Sequence, residues 1–277
     1  MNDCKIAFLG AGNMALSLIG GLTASGFNPQ HIHVADSDPL RLTTLTKTYS
    51  VLTFDNNYDA MESCDVIIAA VKPHQLQSLI KQIAPHWQTG TLLLSIAAGL
   101  RLDDLARWLN QPNPAIVRTM PNMPALIQAG ATALYANSNV TPKQHDLADL
   151  ILRSVGLTLW VNDETQIDAV TALSGSGPAY FFFVMEAMEA AAVKLGLDAE
   201  TARLLCIQTA FGSAKMALES DETTVSLRAR VTSPSGTTER AISELEDGGL
   251  SSLFEKAMTA AKLRSRELAK QLGEDHA

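Results

Sequence analysis

A glycine-rich segment near the start of the sequence has the spacing of a dinucleotide-binding turn. It consists of Gly10, Ala11, Gly12, Asn13, Met14 and Ala15, between the apolar run 5–9 and an amphipathic stretch. Gly10 would permit the tight bend, Gly12 would let the backbone approach a pyrophosphate, and the small Ala15 would let the helix lie close to the strand. A glycine turn without a ligand is the alternative, but the position between a strand and a helix favours a dinucleotide site.

An acidic residue follows the second predicted strand. Asp36 comes about 20 residues after the glycine turn, where an acidic side chain accepts hydrogen bonds from the adenosine ribose of NAD and would repel the 2′-phosphate of NADP. Ser37, Arg41 and Asn56 are near enough in the predicted fold to accommodate that phosphate if Asp36 turns away. Asp36 is equally suited to cap the helix that begins at Pro39. The choice between NADPH and NADH therefore stays open.

Further loops leave predicted strands at the carboxyl end of the sheet, where open α/β sheets bind their ligands. Lys72 lies in the loop at 70–73, either near the dinucleotide or as a solvated lysine. The loop at 95–99 has small residues that leave room for a nicotinamide ring. The prolines around Asn122 predict a stiff wall for the pocket. The predicted cofactor-binding residues are Gly10, Ala11, Gly12, Asn13, Met14, Asp36, Ser37, Asn56, Ala70, Val71, Lys72, Pro73 and Ala97.

Two loops rich in Gly and Ser interrupt the second half of the sequence, at 173–180 and 231–239, each directly before a predicted helix. Such loops aim backbone N–H groups and hydroxyls at one point, so they bind an anion without a cationic side chain. A carboxylate would suit them. The alternative for each loop is helix capping, by Ser176 and by Ser233.

The elements that must position these residues follow from the hydrophobic pattern. Short apolar runs alternate with amphipathic segments up to residue 162, which is typical of βαβ units, and several runs are apolar at consecutive positions, as in strands covered on both faces. Eight strands are predicted, at 5–9, 31–35, 51–54, 65–70, 91–96, 115–119, 132–135 and 158–161. The later sequence is rich in Ala, Leu, Met and Glu, which favour helices. We predict an α/β fold with a Rossmann-type doubly wound parallel domain over 1–162 and an all-helical domain over 163–277.

Composition excludes several classes of function. The chain of 277 residues carries a formal net charge of −8, which would repel nucleic acid and anionic lipid. No apolar run is long enough to span a bilayer, no leader pattern is visible, and the three cysteines lack metal or disulfide spacing, so a cytoplasmic protein is expected. The histidines are scattered, and His31 and His33 are expected to form a solvent-exposed pair on an edge strand, so no metal site is predicted.

Taken together, these segments resemble the Δ1-pyrroline-5-carboxylate reductases over nearly the whole chain. The resemblance is carried by residues 10–15, 71–73, 95–99, 118–122, 174–180 and 233–238. It implies reduction of 1-pyrroline-5-carboxylate to L-proline by NADPH or NADH, the last step of proline biosynthesis. It also implies a homodimer or higher homo-oligomer built through the helical domain. The apolar richness of 178–195 and 199–218 agrees with that, because a small helical domain is too small to cover them alone.

The same resemblance assigns the substrate site. It implies that Ser233, Gly236, Thr237 and Thr238 bind the substrate carboxylate, and that the Thr238 hydroxyl is the catalytic partner of the ring nitrogen. A neutral nest of N–H and hydroxyl groups binds that carboxylate without placing a fixed cation beside a cationic iminium.

The resemblance also points to Glu164, which matches an acidic position near the substrate but is equally plausible as a first-turn helix carboxylate. The sequence departs from the family pattern at Met123, where Thr is usual, at Ser235, where Gly is common, and at Arg230, where many members have a neutral residue. Arg230 is the departure expected to change the electrostatics of cofactor or substrate binding.

Two other functions are compatible with a dinucleotide turn. A β-hydroxyacid dehydrogenase would need a catalytic lysine early in the helix after a glycine-rich loop, but the first lysine after Pro178 is Lys194, about four turns along. A noncatalytic dinucleotide sensor would not need the loop at 233–238. The sequence favours the reductase over both.

Overall fold

The computed structural model describes residues 4–274, which divide into two compact units. The first contains the chain up to Ser176 together with the residues from Ala260 onward, and the second is Gly177–Thr259. These units do not coincide with the predicted domains 1–162 and 163–277. Residues 163–176 and the residues from 260 onward are mostly helical, but their contacts make them part of the first unit. Composition does not reveal such contacts. Among the described residues, no helix has both the length and the apolar character needed to cross a membrane.

The first unit is built on one eight-stranded sheet that contains all the predicted strands. The strands are β1 (Ile6–Leu9), β2 (Ile32–Ala35), β3 (Leu52–Phe54), β4 (Val66–Ala69), β5 (Leu92–Ser95), β6 (Ala115–Met120), β7 (Gly130–Ala136) and β8 (Gly156–Trp160). Their order is β3-β2-β1-β4-β5-β6-β7-β8. The order reverses between β1 and β4, which is the switch point at which doubly wound sheets bind dinucleotides.

The sheet is not parallel throughout. The strands β1 to β6 pair in parallel, whereas β7 runs antiparallel to β6 and β8 runs parallel to β7. The connection from β6 to β7 contains only the short 3-10 helix Met123–Ile127, and a parallel return needs a longer crossover. The predicted doubly wound parallel sheet is confirmed for β1 to β6, and the strand direction departs from it at β7.

Helices cover both faces of the sheet. The first unit contains α1 (Asn13–Ala24), α2 (Pro39–Tyr49), α3 (Asn57–Met61), α4 (Pro73–Ile83), α5 (Leu102–Leu109), α6 (Pro142–Arg153) and α7 (Gln166–Val170). Successive residues of β1 enter different hydrophobic clusters: Phe8 packs in one with Leu18 of α1, and Leu9 packs in the other with Ile80 of α4. Burial on both faces explains why this strand is apolar at every position.

His33 shows a second departure from expectation. Its strand, β2, lies inside the sheet between β3 and β1, so the His33 side chain is buried rather than solvent-exposed. Its Nδ1 atom lies 2.8 Å from the carbonyl oxygen of Ala60, and burial lowers the pKa of the imidazole. The expected solvent-exposed pair with His31 is therefore wrong.

The second unit is helical and exposes much apolar surface. It contains α8 (Gly177–Lys194), α9 (Ala199–Glu219), α10 (Thr224–Arg230), α11 (Thr237–Asp247) and the start of α12 (Leu250–Gly273), whose last part belongs to the first unit. The side chains of Phe181, Phe182 and Phe183 are each more than 60% exposed, and Leu204 and Phe211 of α9 are similarly uncovered. A soluble unit seldom leaves so many large apolar side chains without a partner.

Candidate active site

The glycine-rich turn joins β1 to α1 as predicted. Gly10 has φ +105°, and a Cβ atom there would lie 2.7 Å from the carbonyl oxygen of Ala70. Gly12 directly precedes α1, and no side chain caps this end of the helix. A Cβ atom on Gly12 would meet only the Ala70 oxygen, at 3.9 Å, and would otherwise point into open space. The backbone amides at this end of α1 fit a pyrophosphate, because no side chain caps the helix or blocks the approach.

The turn opens onto a cavity of about 650 Å³ at the carboxyl ends of the central strands. The predicted cofactor residues in its walls are Gly10, Gly12, Asn13, Asp36, Ser37, Asn56, Ala70, Val71 and Lys72. Four predicted residues do not line it. Ala11 and Ala97 are buried, Met14 on α1 packs against the hydrophobic core, and Pro73 is the first residue of α4.

Some walls of the cavity were not predicted. The structure adds Ala35, Asp55, Asn57, His74, Gln75, Leu79 and Gln82, together with Arg41, which the sequence had suggested for a 2′-phosphate. Four of these residues lie on α4: His74 and Gln75 in its first turn, and Leu79 and Gln82 more than one turn beyond Pro73. Helical spacing along α4 could have identified them once the loop at 70–73 had been placed at the site.

Asp36 lies at the end of β2 and is engaged with the backbone. Its Oδ2 atom accepts the Ala11 N–H at 2.6 Å, and its Oδ1 atom accepts the Asp38 N–H at 2.9 Å. Asp38, rather than Asp36, caps α2 by accepting the Leu40 N–H. The capping alternative for Asp36 is therefore wrong, and the carboxylate instead braces the glycine turn.

Arg41 is the cation nearest to Asp36. Its Nη1 atom lies 3.9 Å from Asp36 Oδ2, its Nε atom lies 3.4 Å from Asp38 Oδ2, and its side chain is 54% exposed. Lys72, also exposed, stands elsewhere in the cavity wall, and Asp55 adds a second acidic group. The cavity thus offers cationic and acidic side chains rather than one sign of charge.

The loop between β5 and α5 is fixed at both ends. Thr119 Oγ1 donates to the Ser95 carbonyl oxygen at 3.0 Å, and the Ala97 N–H donates to Ser95 Oγ. At the other end, Glu164 Oε1 accepts the Leu102 N–H at 2.9 Å and also accepts from Arg118 Nη1 at 2.9 Å. Glu164 therefore forms a structural ion pair in the first unit, and the sequence had given Arg118 no role.

The proline-containing loop after β6 is held by its asparagine. Asn122 Nδ2 donates to the Ser174 carbonyl oxygen, and Asn122 Oδ1 accepts the Ala131 N–H. Its neighbour Met123 is largely exposed. These bonds agree with the expected stiff loop.

The segment around Ser174 is not the open loop that was predicted. Residues Thr171–Gly175 form a π-helical turn that runs into α8, and the Ser176 N–H donates to the Thr171 carbonyl oxygen. Ser174 Oγ likewise donates to the Val170 carbonyl oxygen. Groups used within a helix are not available to an anion, so an anion nest at this segment was a wrong prediction.

The loop at 233–238, in the second unit, does end at a free helix N-terminus. Gly236 precedes α11 and makes no side-chain cap, so the alternative in which Ser233 caps the helix is wrong. Ser235 adopts φ +59°, a conformation that explains the common Gly of the family, and its N–H donates to Glu239 Oε2 at 2.7 Å. Thr237 and Thr238 form the first turn of α11, and both are exposed.

The arginines that precede this loop are paired. Arg230 Nη1 donates to Glu222 Oε1, and Arg228 Nη1 donates to Glu246 Oε1 at 2.8 Å. The departure at Arg230 is thus balanced by a carboxylate in the same unit. The loop presents hydroxyls and backbone amides rather than an unpaired cation.

Comparison with known proteins agrees with this arrangement. The family model described as pyrroline-5-carboxylate reductase dimerisation matches residues 164–268, and one described as NADP oxidoreductase, coenzyme F420-dependent, matches residues 5–99. The pyrroline-5-carboxylate reductase of Pseudomonas aeruginosa is 47% identical over 99% of this chain and 100% of that protein. That of Vibrio alginolyticus is 40% identical over 98% of this chain and 99% of its own length.

Solved structures give the same result. A pyrroline-5-carboxylate reductase from Coxiella burnetii superposes with a TM-score of 0.93 at 45% identity, covering 97% of this chain and 99% of that one. The Plasmodium falciparum pyrroline carboxylate reductase, with NADP bound, superposes with a TM-score of 0.85 at 28% identity over 97% of this chain and 99% of that one. These similarities favour the reductase over the dehydrogenase-like and sensor alternatives. The chain belongs to the pyrroline-5-carboxylate reductase family of NAD(P)H-dependent oxidoreductases.

Proposed function

We propose that this chain reduces the C=N bond of 1-pyrroline-5-carboxylate to give L-proline, with substrate held by the loop at 233–238. The observation that carries the proposal is the N-terminus of α11, which has no side-chain cap and bears the exposed hydroxyls of Thr237 and Thr238. Uncapped N–H groups at a helix N-terminus attract a carboxylate. A fixed cation there would repel the protonated imine, and the paired state of Arg230 avoids that repulsion.

The cofactor contacts proposed for the first unit fit a dinucleotide. The glycine turn would hold the pyrophosphate against the amides of α1, because the space beside Gly12 is open and a side chain there would occupy it. Asn13, Ser37, Asn56 and the loop at 70–73 supply the polar walls around it. A bound reduced nicotinamide supplies the hydride that adds to the ring carbon.

The chain's own groups orient the substrate and hold its proton. Ser233, Gly236 and Thr237 bind the carboxylate, which leaves the ring nitrogen facing the Thr238 hydroxyl. When the planar iminium becomes a tetrahedral amine, Thr238 Oγ1 keeps the nitrogen and its proton in place, and orientation of this kind lowers the barrier. Glu164 is left out of the carboxylate-binding set, because its Oε1 atom already serves Arg118 and Leu102.

The proposal includes a homodimer or larger homo-oligomer in the cytoplasm. The large apolar side chains exposed on α8 and α9 need a partner surface, and a second copy offers the same apolar faces. The net charge of −8 disfavours nucleic acid as a further partner.

The test is oxidation of NADPH and of NADH on addition of 1-pyrroline-5-carboxylate, with L-proline identified as the product. We expect both cofactors to be oxidised only when the substrate is present. A folded protein that binds cofactor but makes no proline would contradict the proposal. 3-Hydroxy acids with NADP+ or NAD+ serve as the control reaction, because a dehydrogenase-like enzyme would oxidise them and form NADPH or NADH.

A further inference from the structure

Neighbouring residues of β6 hold the two ends of the loop at 96–101. At the near end, Thr119 Oγ1 donates to the Ser95 carbonyl oxygen at 3.0 Å. At the far end, Arg118 Nη1 donates to Glu164 Oε1, and this same oxygen accepts the Leu102 N–H, both at 2.9 Å. The loop is therefore tied to one strand directly at its start and through Glu164 at its finish.

Glu164 acts as the cap of a helix that is distant in sequence. The helix α5 begins at Leu102, and Arg101, the residue before it, makes no side-chain cap. A carboxylate at this end satisfies an N–H that the helix cannot satisfy itself, and its charge is favourable next to the helix dipole. The contact fixes where the loop ends and α5 begins.

Arg118 prevents Glu164 from leaving this position. The Arg118 side chain is only 3% exposed, so its charge needs a nearby acidic partner. The other acid near it is Asp168, whose Oδ1 atom lies 3.9 Å from Arg118 Nη2 and also accepts from Ser265 Oγ at 2.8 Å. Arg266 Nε lies 3.5 Å from Asp168 Oδ2, so Asp168 is shared with α12. Glu164 is thus the closest counter-charge for Arg118.

The loop lies beside the wall of the cavity. Ser95 pairs with Ala69, the last residue of β4, and Ala70, which follows β4, lines the cavity. On its other side the loop rests on α12, since Gly99, with φ +75°, lies against Leu268. Because it is held between the cavity and α12, a shift at its far end would move the backbone near Ala97.

We propose that Glu164 is a positioning residue: through the Leu102 N–H it holds the loop at 96–101 beside the Ala70 wall of the cavity, so that the nicotinamide can lie against this loop. This inference rests on the proposed function and on the small residues at 95–99, which the sequence predicts to leave room for the nicotinamide. In this role Glu164 acts on the geometry of hydride transfer through the backbone. The family resemblance implied that Glu164 binds the substrate, and the positioning role replaces that assignment.

The experiment compares Glu164→Ala with Glu164→Gln. Glutamine keeps an oxygen that accepts from Leu102 and Arg118, whereas alanine removes it. For alanine we expect the fluorescence enhancement of bound NADPH, a signal of the nicotinamide environment, to fall by half or more, and kcat to fall by roughly tenfold or more. The KM for 1-pyrroline-5-carboxylate and the Kd for 2′,5′-ADP, which lacks the nicotinamide, are expected to stay within about twofold. Glutamine should restore most of the fluorescence and kcat.

A matched control removes another carboxylate of the first unit. Asp149 accepts from Thr158 and from Arg153 on the outer part of the sheet, away from the loop and cavity. Asp149→Ala should leave the fluorescence enhancement and kcat unchanged. A loss as large as that of Glu164→Ala would show a general effect of lost ion pairs and would overturn the inference.

Other outcomes also decide the matter. If both Glu164 variants raise KM for the substrate and keep the nicotinamide signal, Glu164 contacts substrate and the positioning role is wrong. If Glu164→Ala does not fold, Thr119→Val loosens the near end of the loop without a charge change, and an unaltered nicotinamide signal would then overturn the inference. A wild-type protein without turnover would refute the proposed function alone, because the fluorescence comparison needs no substrate.

Discussion

Asp36 Oδ2 accepts the backbone N–H of Ala11 at 2.6 Å, which joins the end of β2 to the glycine turn after β1. The side chain of Asp36 is only 10% exposed. Both oxygens of this carboxylate accept hydrogen bonds from backbone amides, so Asp36 stabilises the glycine turn whether or not it also binds ribose. The consequence is that Asp36 influences the binding of every dinucleotide, and not only the choice between them.

The first prediction concerns Asp36→Ser. The variant loses a charge-assisted hydrogen bond, of about 1.5–3 kcal/mol, so the Kd for NADH should rise by roughly tenfold or more. The Kd for NADPH should rise less, because removal of the negative charge also relieves repulsion with the 2′-phosphate. Fluorescence titration measures both constants. Asp38→Ser is the control for the NADH constant, since serine also caps α2 and NADH has no 2′-phosphate for Arg41 to bind. Wild-type affinity for NADH in Asp36→Ser would show that the brace is unimportant.

The second prediction assigns recognition of the 2′-phosphate to Arg41. This side chain lines the cavity and is held over it by Asp38. Arg41→Ala should raise the Kd for NADPH by roughly tenfold and that for NADH by less than about twofold, as expected for the loss of one charge-assisted phosphate contact. Lys47→Ala, on the same helix but not among the lining residues, controls for net charge. A parallel loss for both cofactors would place the phosphate elsewhere.

The third prediction separates the two glycines of the turn. Gly12→Val should abolish cofactor binding while the protein keeps its stability, because the added atoms point into open space that the pyrophosphate would occupy. Gly10→Ala should instead lower the free energy of unfolding by roughly 1–3 kcal/mol, since it meets the Ala70 carbonyl at positive φ. Urea unfolding and cofactor titration on both variants test this. Retained affinity in a folded Gly12→Val protein would refute the site.

The fourth prediction uses the buried His33. Burial lowers its pKa in the folded protein below the value near 6.5 of the unfolded chain. The unfolded state therefore binds the proton more readily, and the free energy of unfolding should fall as pH drops below about 6.5, by at most about 1.4 kcal/mol per pH unit from this group. His33→Asn should show a shallower decline between pH 7.5 and 5.5 in urea unfolding. The exposed His74→Asn serves as control, and an unchanged slope in His33→Asn would contradict the assignment.

The parts that the sequence predicted have strong local signals. The run of apolar residues in β1 and the glycine turn specify a covered strand and a tight bend within a few residues. The reversal of β7 was missed because strand direction depends on the length of a connection rather than on the strand's own composition. The burial of His33 was missed for a related reason. Whether β2 is an edge strand depends on the order of all the strands in the sheet, which the sequence of one strand does not reveal.

The site followed the same rule. Residues on the turn itself, such as Gly12 and Asn13, were expected at the site and line the cavity, whereas those on α4, such as Gln75 and Gln82, were not anticipated. The pairing of Arg118 with Glu164 joins segments far apart in the chain, so no local pattern indicates it. Long-range contacts of this kind become visible only in the folded chain.

The most direct test of the central claim is the catalytic efficiency of Thr238→Ala and Thr238→Ser with 1-pyrroline-5-carboxylate. If the hydroxyl at the start of α11 faces the ring nitrogen, alanine should lower kcat/KM by roughly ten- to a thousandfold with cofactor affinity nearly unchanged, and serine should keep much of the activity. If Thr238 only stabilises the first turn of α11, alanine should cost about 1 kcal/mol of stability and leave the rate per folded molecule intact. A destabilised Thr238→Ala protein with a normal kcat/KM would contradict the proposed mechanism.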